Sequence, residues 1–184
     1  MRYHILKKPE AHFRYRGIHR LGPQYNDEDT DDSIFNQAWN RYVSYNEEAV
    51  VDKNEALRLI KTLDPKNLRY DLIGVERVAS QVDGKVLGYD VASNNWHSIL
   101  SWEKPIHWSK EQKALSNLGP IFSLIESYFS PLINDAGLFS NFSEACLFCD
   151  VISAVEQLVP GTWDAPGTYY PEVLAVFDIQ NEKD

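Results

Sequence analysis

Two apolar-rich runs between Asp71 and Trp102 are separated by the dipeptide Asp83-Gly84. Asp-Gly favours a two-residue hairpin turn, because glycine accepts positive φ without a Cβ clash and the primed turn matches the twist of paired strands. The pattern therefore predicts a β-hairpin over about residues 69–92. One face of that hairpin is expected to carry Ile73, Val75, Ala79, Leu87, Tyr89 and Val91.

The N-terminal third contains a short apolar run and two segments with helical periodicity. Residues 3–6 (Tyr-His-Ile-Leu) predict a strand. Apolar residues at helical spacing predict a helix over about residues 33–45. A second helix is predicted over about 52–63, because Asp52 and Glu55 stand at capping-box spacing.

Two further helices and a last strand are predicted in the C-terminal third. The first helix begins near Pro120, which suits the first helical turn, and Pro131 is expected to kink it or end it early. The second is predicted over about 143–159, with Ser143 as its cap. The apolar, β-branched run over 172–179 predicts the strand. Residues expected to face inward from the second helix are Phe148, Val151, Ile152, Val155 and Leu158.

The order of these elements indicates the fold class. Few helices separate successive strands, so a doubly wound parallel sheet is not expected. The sequence predicts one α+β domain over residues 1–184, with a mostly antiparallel sheet and helices packed on one face. A length of 184 residues and a hydrophobic fraction of 43% are typical of one globular domain.

The two cysteines, Cys146 and Cys149, cannot form a disulfide framework, which favours a reducing compartment. They form a lone CxxC pair inside a predicted helix, and no second pair or nearby HxxxH completes a zinc site. Two small core residues are the ordinary interpretation, and thiol or metal chemistry is the alternative. Since no signal-peptide core and no apolar run of about 18–20 residues occurs, we expect a cytoplasmic protein outside the membrane.

The formal net charge is −9. Net acidity opposes nucleic-acid binding and favours a basic protein partner. The densest carboxylate run lies just before the helix predicted over 33–45, where it also suits the helix dipole as an exposed capping loop. As a binding site, this run and a neighbouring tyrosine are expected to contact the partner protein. The residues of this predicted site are Tyr25, Asp27, Glu28, Asp29, Asp31 and Asp32.

A second candidate site follows the hairpin. Asp90 and His97, with the serines at 93 and 98, could form an acid–base set or line a ligand pocket. The chain has no G-x-S-x-G elbow and no glycine-rich phosphate loop, and such polar runs are commonly turns. We therefore expect no catalytic residues, no cofactor and no metal, with a small enzyme or ligand-binding domain as the alternative.

Residues 87–91 (Leu-Gly-Tyr-Asp-Val) and 96–100 (Trp-His-Ser-Ile-Leu), in a small acidic α+β chain, resemble bacterial immunity proteins of the polymorphic-toxin kind. The resemblance implies a protein that binds and blocks one cognate toxin without cofactor or catalysis. A third hypothesis is a structural subunit that self-associates through apolar residues between Trp96 and Trp108.

Overall fold

A four-stranded antiparallel sheet organises the fold. The computed structural model describes residues 1–7, 52–63, 66, 70–83, 85–92, 100, 119–158 and 171–179. The strands lie in the order β1-β2-β4-β3, and each neighbouring pair is antiparallel. This sheet and its helices confirm the predicted α+β class. The strands are β1 (Arg2–Lys7), β2 (Tyr70–Arg77), β3 (Val86–Ala92) and β4 (Glu172–Asp178).

The hairpin predicted at Asp83-Gly84 is wrong, because β2 and β3 do not pair with each other. β4 lies between them and is hydrogen-bonded to both. Residues 78–85 connect β2 to β3, a segment much longer than the two-residue turn that Asp-Gly favours. Val78 instead continues the ladder beyond β2, since its N–H donates to the Val173 carbonyl at 3.1 Å.

The central position of β4 follows from its sequence. Val173, Leu174, Ala175 and Val176 are all buried, so both faces of the strand are covered. A continuous apolar run is typical of such a strand, whereas a strand with one wet face alternates. The strand predicted over 172–179 is confirmed, and its insertion separates the two strands that the hairpin would have joined.

The two faces of the sheet belong to different core clusters, so the single apolar face predicted for the hairpin is also wrong. Tyr89 and Val91 pack with the C-terminal helices. Ile73 and Val75 pack in the second cluster, with Leu87 at its margin. Because successive side chains of a strand point to opposite faces, β4 contributes alternate residues to the two clusters.

Helix α1 (Lys53–Leu63) confirms the helix predicted over 52–63. The Glu55 N–H donates to Asp52 Oδ1 at 2.8 Å, which satisfies one of the unpaired donors of the first turn. Ala56 and its neighbours one turn on, Leu59 and Ile60, are buried, and the helix lies against β1 and β2. The helix predicted over 33–45 lies outside the described residues.

Helix α2 (Gly119–Phe129) ends where the sequence predicts. It continues as a single 3-10 turn (Ser130–Leu132) that contains Pro131, since proline has no N–H for the α-helical ladder. Helix α3 (Phe142–Leu158) begins one residue before the predicted cap Ser143. Edge-on aromatic packing joins the two helices, with the rings of Phe129 and Phe148 at a centroid distance of 4.9 Å.

The loop over residues 133–139 ties α2 and α3 to the outer edge of β3. Tyr89 and Phe139 exchange two backbone hydrogen bonds, of 2.8 and 2.9 Å. Asn134 Nδ2 donates to the Leu87 carbonyl at 2.9 Å. Gly88 has φ +154°, and a Cβ there would lie 2.7 Å from the Phe139 carbonyl oxygen. The loop therefore covers an edge that would otherwise be open to another strand.

Candidate functional site

The predicted acidic binding site lies outside the described residues. It comprises Tyr25, Asp27, Glu28, Asp29, Asp31 and Asp32. Its role in partner binding stays a prediction. The described part of the chain provides its own candidate surface on the outer side of the C-terminal helices.

The predicted pocket at Asp90 and His97 is described in part. Asp90 lies on β3, opposite Leu174 of β4, and is fully buried. His97 lies outside the described residues. Since the Asp90 side chain has no solvent exposure, it does not face an open cleft. Leu100, at the end of the same sequence run, packs in the helical core.

Cys146 and Cys149 lie one turn apart on α3, inside the helix as predicted. The Cys149 thiol donates to the Pro171 carbonyl at 2.9 Å. Burial raises the pKa of Cys149 to about 12, and the negative charge of Asp150 adds to the rise. Burial and Asp150 also raise the pKa of Cys146. Both groups are therefore neutral thiols at pH 7, which disfavours a nucleophilic role and supports a structural one.

Two adjacent rows of apolar residues run along α3. Its inner row is buried against the sheet. The outer row, here called the α3 stripe, follows the i, i+4, i+7, i+11 spacing of one helix face. Leu147 is 44% exposed and Leu158 is 70% exposed. The α3 stripe consists of Leu147, Val151, Ala154 and Leu158.

The inward orientation predicted for Leu158 is therefore wrong. Leu158 continues the row through Val151, seven residues earlier, and not the buried row through Ile152 and Val155. Val151 itself is partly buried at the margin of the core. Helical periodicity places both rows on one wide apolar face. The sheet covers only the part of that face that the inner row forms.

Helix α2 shows the same division. Phe122, Ile125 and Phe129 are buried, while Leu124 is 68% exposed and Tyr128 is 58% exposed. Ile121, three residues before Leu124, is exposed as well. Of the six large hydrophobic side chains exposed within the described ranges, five lie on α2 and α3. Exposed apolar side chains that share one helix face, as Leu147 and Leu158 do on α3, are typical of a protein-binding site.

The sequence segment that contains these helices carries charge of one sign. From residue 114 to residue 182 the sequence contains no Lys, Arg or His. Glu144 and Asp150 stand three residues before and after Leu147, so both lie beside the α3 stripe. The sequence therefore carried a pattern that hydropathy alone missed, namely a long segment without Lys, Arg or His that contains both apolar helix faces and scattered carboxylates. The acids of that segment are Glu126, Asp135, Glu144, Asp150, Glu156, Asp164, Glu172, Asp178 and Glu182.

Across the described ranges, no group of three or more His, Cys, Asp or Glu side chains could hold a metal ion. None of the helices described is both long enough and apolar enough to cross a membrane. An ion pair joins Arg77 Nε to Glu172 Oε2 at 2.7 Å, between β2 and β4.

Comparison with known proteins finds no matching family model, no matching curated protein and no matching solved structure.

Proposed function

We propose that this chain is a non-catalytic binding protein of the cytoplasm that recognises and neutralises a basic protein partner. A toxin is the partner that the resemblance over residues 87–100 suggests. The carboxylates between Asp27 and Asp32 belong to the same proposal, as a patch that attracts the partner before contact. The two free thiols support a reducing compartment.

One observation carries the proposal: apolar side chains are exposed on a helical layer that contains carboxylates and no base. Leu147 is 44% exposed and Leu158 is 70% exposed, on a helix whose inner side is buried. Residues 119–158 hold five acidic side chains and no Lys, Arg or His. Apolar contact supplies affinity in protein interfaces, and charge of one sign selects partners of the opposite sign.

The alternative of a small enzyme receives no support from the described residues. Asp90 is fully buried, and the two thiols are held neutral. Catalytic groups need a pKa matched to their task and access to a substrate. Binding without catalysis fits these side chains better.

The proposal is tested by capturing a partner from the native cell and measuring its association rate as a function of salt. The full chain should capture a protein with a basic isoelectric point. Its association rate constant should fall by about ten-fold or more between about 0.01 M and about 1 M salt, over which the screening length drops from about 30 Å to about 3 Å.

A charge variant sharpens this test. Reversing Asp27, Glu28, Asp29, Asp31 and Asp32 to lysine should slow association at low salt and leave dissociation nearly unchanged. An acidic captured partner, or an association rate that does not depend on salt, would contradict the proposal. An unchanged rate in the variant alone would remove this patch from it.

A further inference from the structure

We infer that the α3 stripe is the docking site for a cationic amphipathic helix of the partner protein. The inference rests on the proposed function and names the surface and the kind of segment that binds it. Leu147 and Leu158 would contact the apolar side of that helix, and Glu144 and Asp150 would pair with its Lys or Arg side chains.

The geometry of the stripe suits a helix. Leu147 and Leu158 are eleven residues apart in α3, a distance of about 16 Å along the axis at 1.5 Å per residue. The spacing 147, 151, 154, 158 repeats every three or four residues, as the seam of two packed helices does. Val151 is partly buried against the core, so the middle of the stripe is held in place by the fold.

Charge decides which occupant fits. Glu144 and Asp150 form no ion pair with any residue of the described ranges, and α3 contains no base. A second copy of this chain carries the same net charge of −9 and would bring carboxylates against carboxylates. An anionic lipid surface is repelled for the same reason. A basic helix is attracted to both acids while its apolar side covers the leucines.

The probe is a two-heptad peptide with leucine at the a and d positions and lysine elsewhere, titrated into the full chain. The same peptide with glutamate in place of lysine is the control, and it should not bind. The variant L147Q/L158Q keeps helix propensity close to that of leucine and removes the apolar contact. We expect the lysine peptide to bind this variant at least about ten-fold more weakly than the wild type.

Two control variants, Leu124→Gln and Asp135→Asn, distinguish binding at the α3 stripe from a general effect of exposed apolar or acidic residues. Leu124→Gln changes an equally exposed leucine on α2 and should alter the affinity by less than about two-fold. E144Q/D150N should slow association at low salt about three-fold or more, whereas Asp135→Asn, in the 133–139 loop, should not. Equal binding by wild type and L147Q/L158Q, or loss in Leu124→Gln instead, would overturn the inference.

The other occupants have their own outcomes. Self-association that sediments as a dimer and disappears in L147Q/L158Q would assign the stripe to a second copy and contradict the inference. Binding to phosphatidylglycerol vesicles that L147Q/L158Q abolishes would assign the stripe to lipid and contradict it equally. If a captured basic partner binds L147Q/L158Q as tightly as the wild type, the docking site is wrong and the proposed function stands. If no basic partner is captured, the proposed function fails instead.

Discussion

The inner and outer faces of the C-terminal helices have similar chemistry and opposite surroundings. On α3, Phe148 and Ile152 are fully buried, while Leu147 and Leu158, on the same helix, face solvent. On α2, Phe129 is buried and its neighbour Tyr128 is exposed, with the two rings 4.9 Å apart. The apolar residues of the inner face are explained by packing against β3 and β4, whereas those of the outer face have no such explanation within the described ranges.

This difference separates stability from recognition. A side chain that leaves water on folding contributes roughly 1.5–3 kcal/mol, and one that stays in water contributes little. An exposed leucine on a well-packed helix therefore adds little to folding, but it can contribute on binding. The inner face is expected to control the free energy of unfolding and the outer face the affinity for a partner.

The largest effect should come from the inner face. Phe148→Ala removes a ring that contacts both Phe129 and Phe139 and leaves a cavity, so we expect a loss of about 3–5 kcal/mol in the free energy of unfolding. Leu158→Ala should change it by less than about 0.5 kcal/mol. Urea denaturation of the two variants measures the difference, and similar losses in both would show that the two faces are not distinct.

The separation of the faces also requires that α2 and α3 be fixed at the edge of β3. Gly88→Ala places a Cβ 2.7 Å from both Leu138 Cβ and the Phe139 carbonyl, in a backbone conformation with φ +154°. We expect a loss of about 3 kcal/mol. Gly74→Ala is the control, because its new Cβ would meet the movable ends of Met1 and Ile179, at 2.7 and 2.9 Å, and should cost less. A more stable Gly88→Ala protein by thermal denaturation would refute this account of the edge.

Asn134 makes the same attachment with hydrogen bonds. Its side chain donates to Leu87 and accepts from the backbone N–H groups of Ala136 and Leu138, at 2.9 to 3.2 Å. Asn134→Ala should lower the free energy of unfolding by about 1–3 kcal/mol, since part-buried backbone groups lose their partners. Asn134→Asp keeps the acceptor but sets a carboxylate oxygen against the Leu87 carbonyl, so it should also lose stability, and chemical denaturation measures both variants. Equal stability of wild type and Asn134→Ala would contradict the attachment.

The last prediction concerns the pH dependence of stability. Burial raises the pKa of Cys149 from 9.0 to about 12, so the folded chain holds this proton more tightly than the unfolded chain. The stability it contributes is complete below pH 9 and is lost as pH rises through the interval to about 12. Cys149→Ala should therefore lose stability less steeply than the wild type above pH 9, as denaturation midpoints at several pH values would show. Parallel slopes would contradict the assignment.

Much of the secondary structure could be predicted because local sequence patterns determine it. Asp52 caps α1, Pro131 ends α2, and the run of β4 is a strand, as expected. The hairpin prediction was wrong because the order of the strands depends on β4, a buried strand that lies far along the chain. The local preference of Asp-Gly for a tight turn contributes less free energy than burying both faces of β4 between β2 and β3.

The candidate surface was harder to predict, for a related reason. Periodicity shows that Leu158 and Val155 are apolar and nearly in line, but it does not show how wide a stripe the sheet covers. The absence of Lys, Arg and His between 114 and 182 was readable from the sequence. That absence gains meaning only when the exposed leucines beside Glu144 and Asp150 are known.

The most direct test of the α3 stripe as a recognition surface is hydroxyl-radical footprinting of the full chain, alone and with its captured partner. In the free chain Leu147 and Leu158 should be oxidised readily and Phe148 hardly at all, in line with their exposure. In the complex the two leucines should become protected while Leu124 stays reactive. The account would be contradicted if Leu147 and Leu158 were unreactive in the free chain. It would also be contradicted if they were equally reactive with and without the partner.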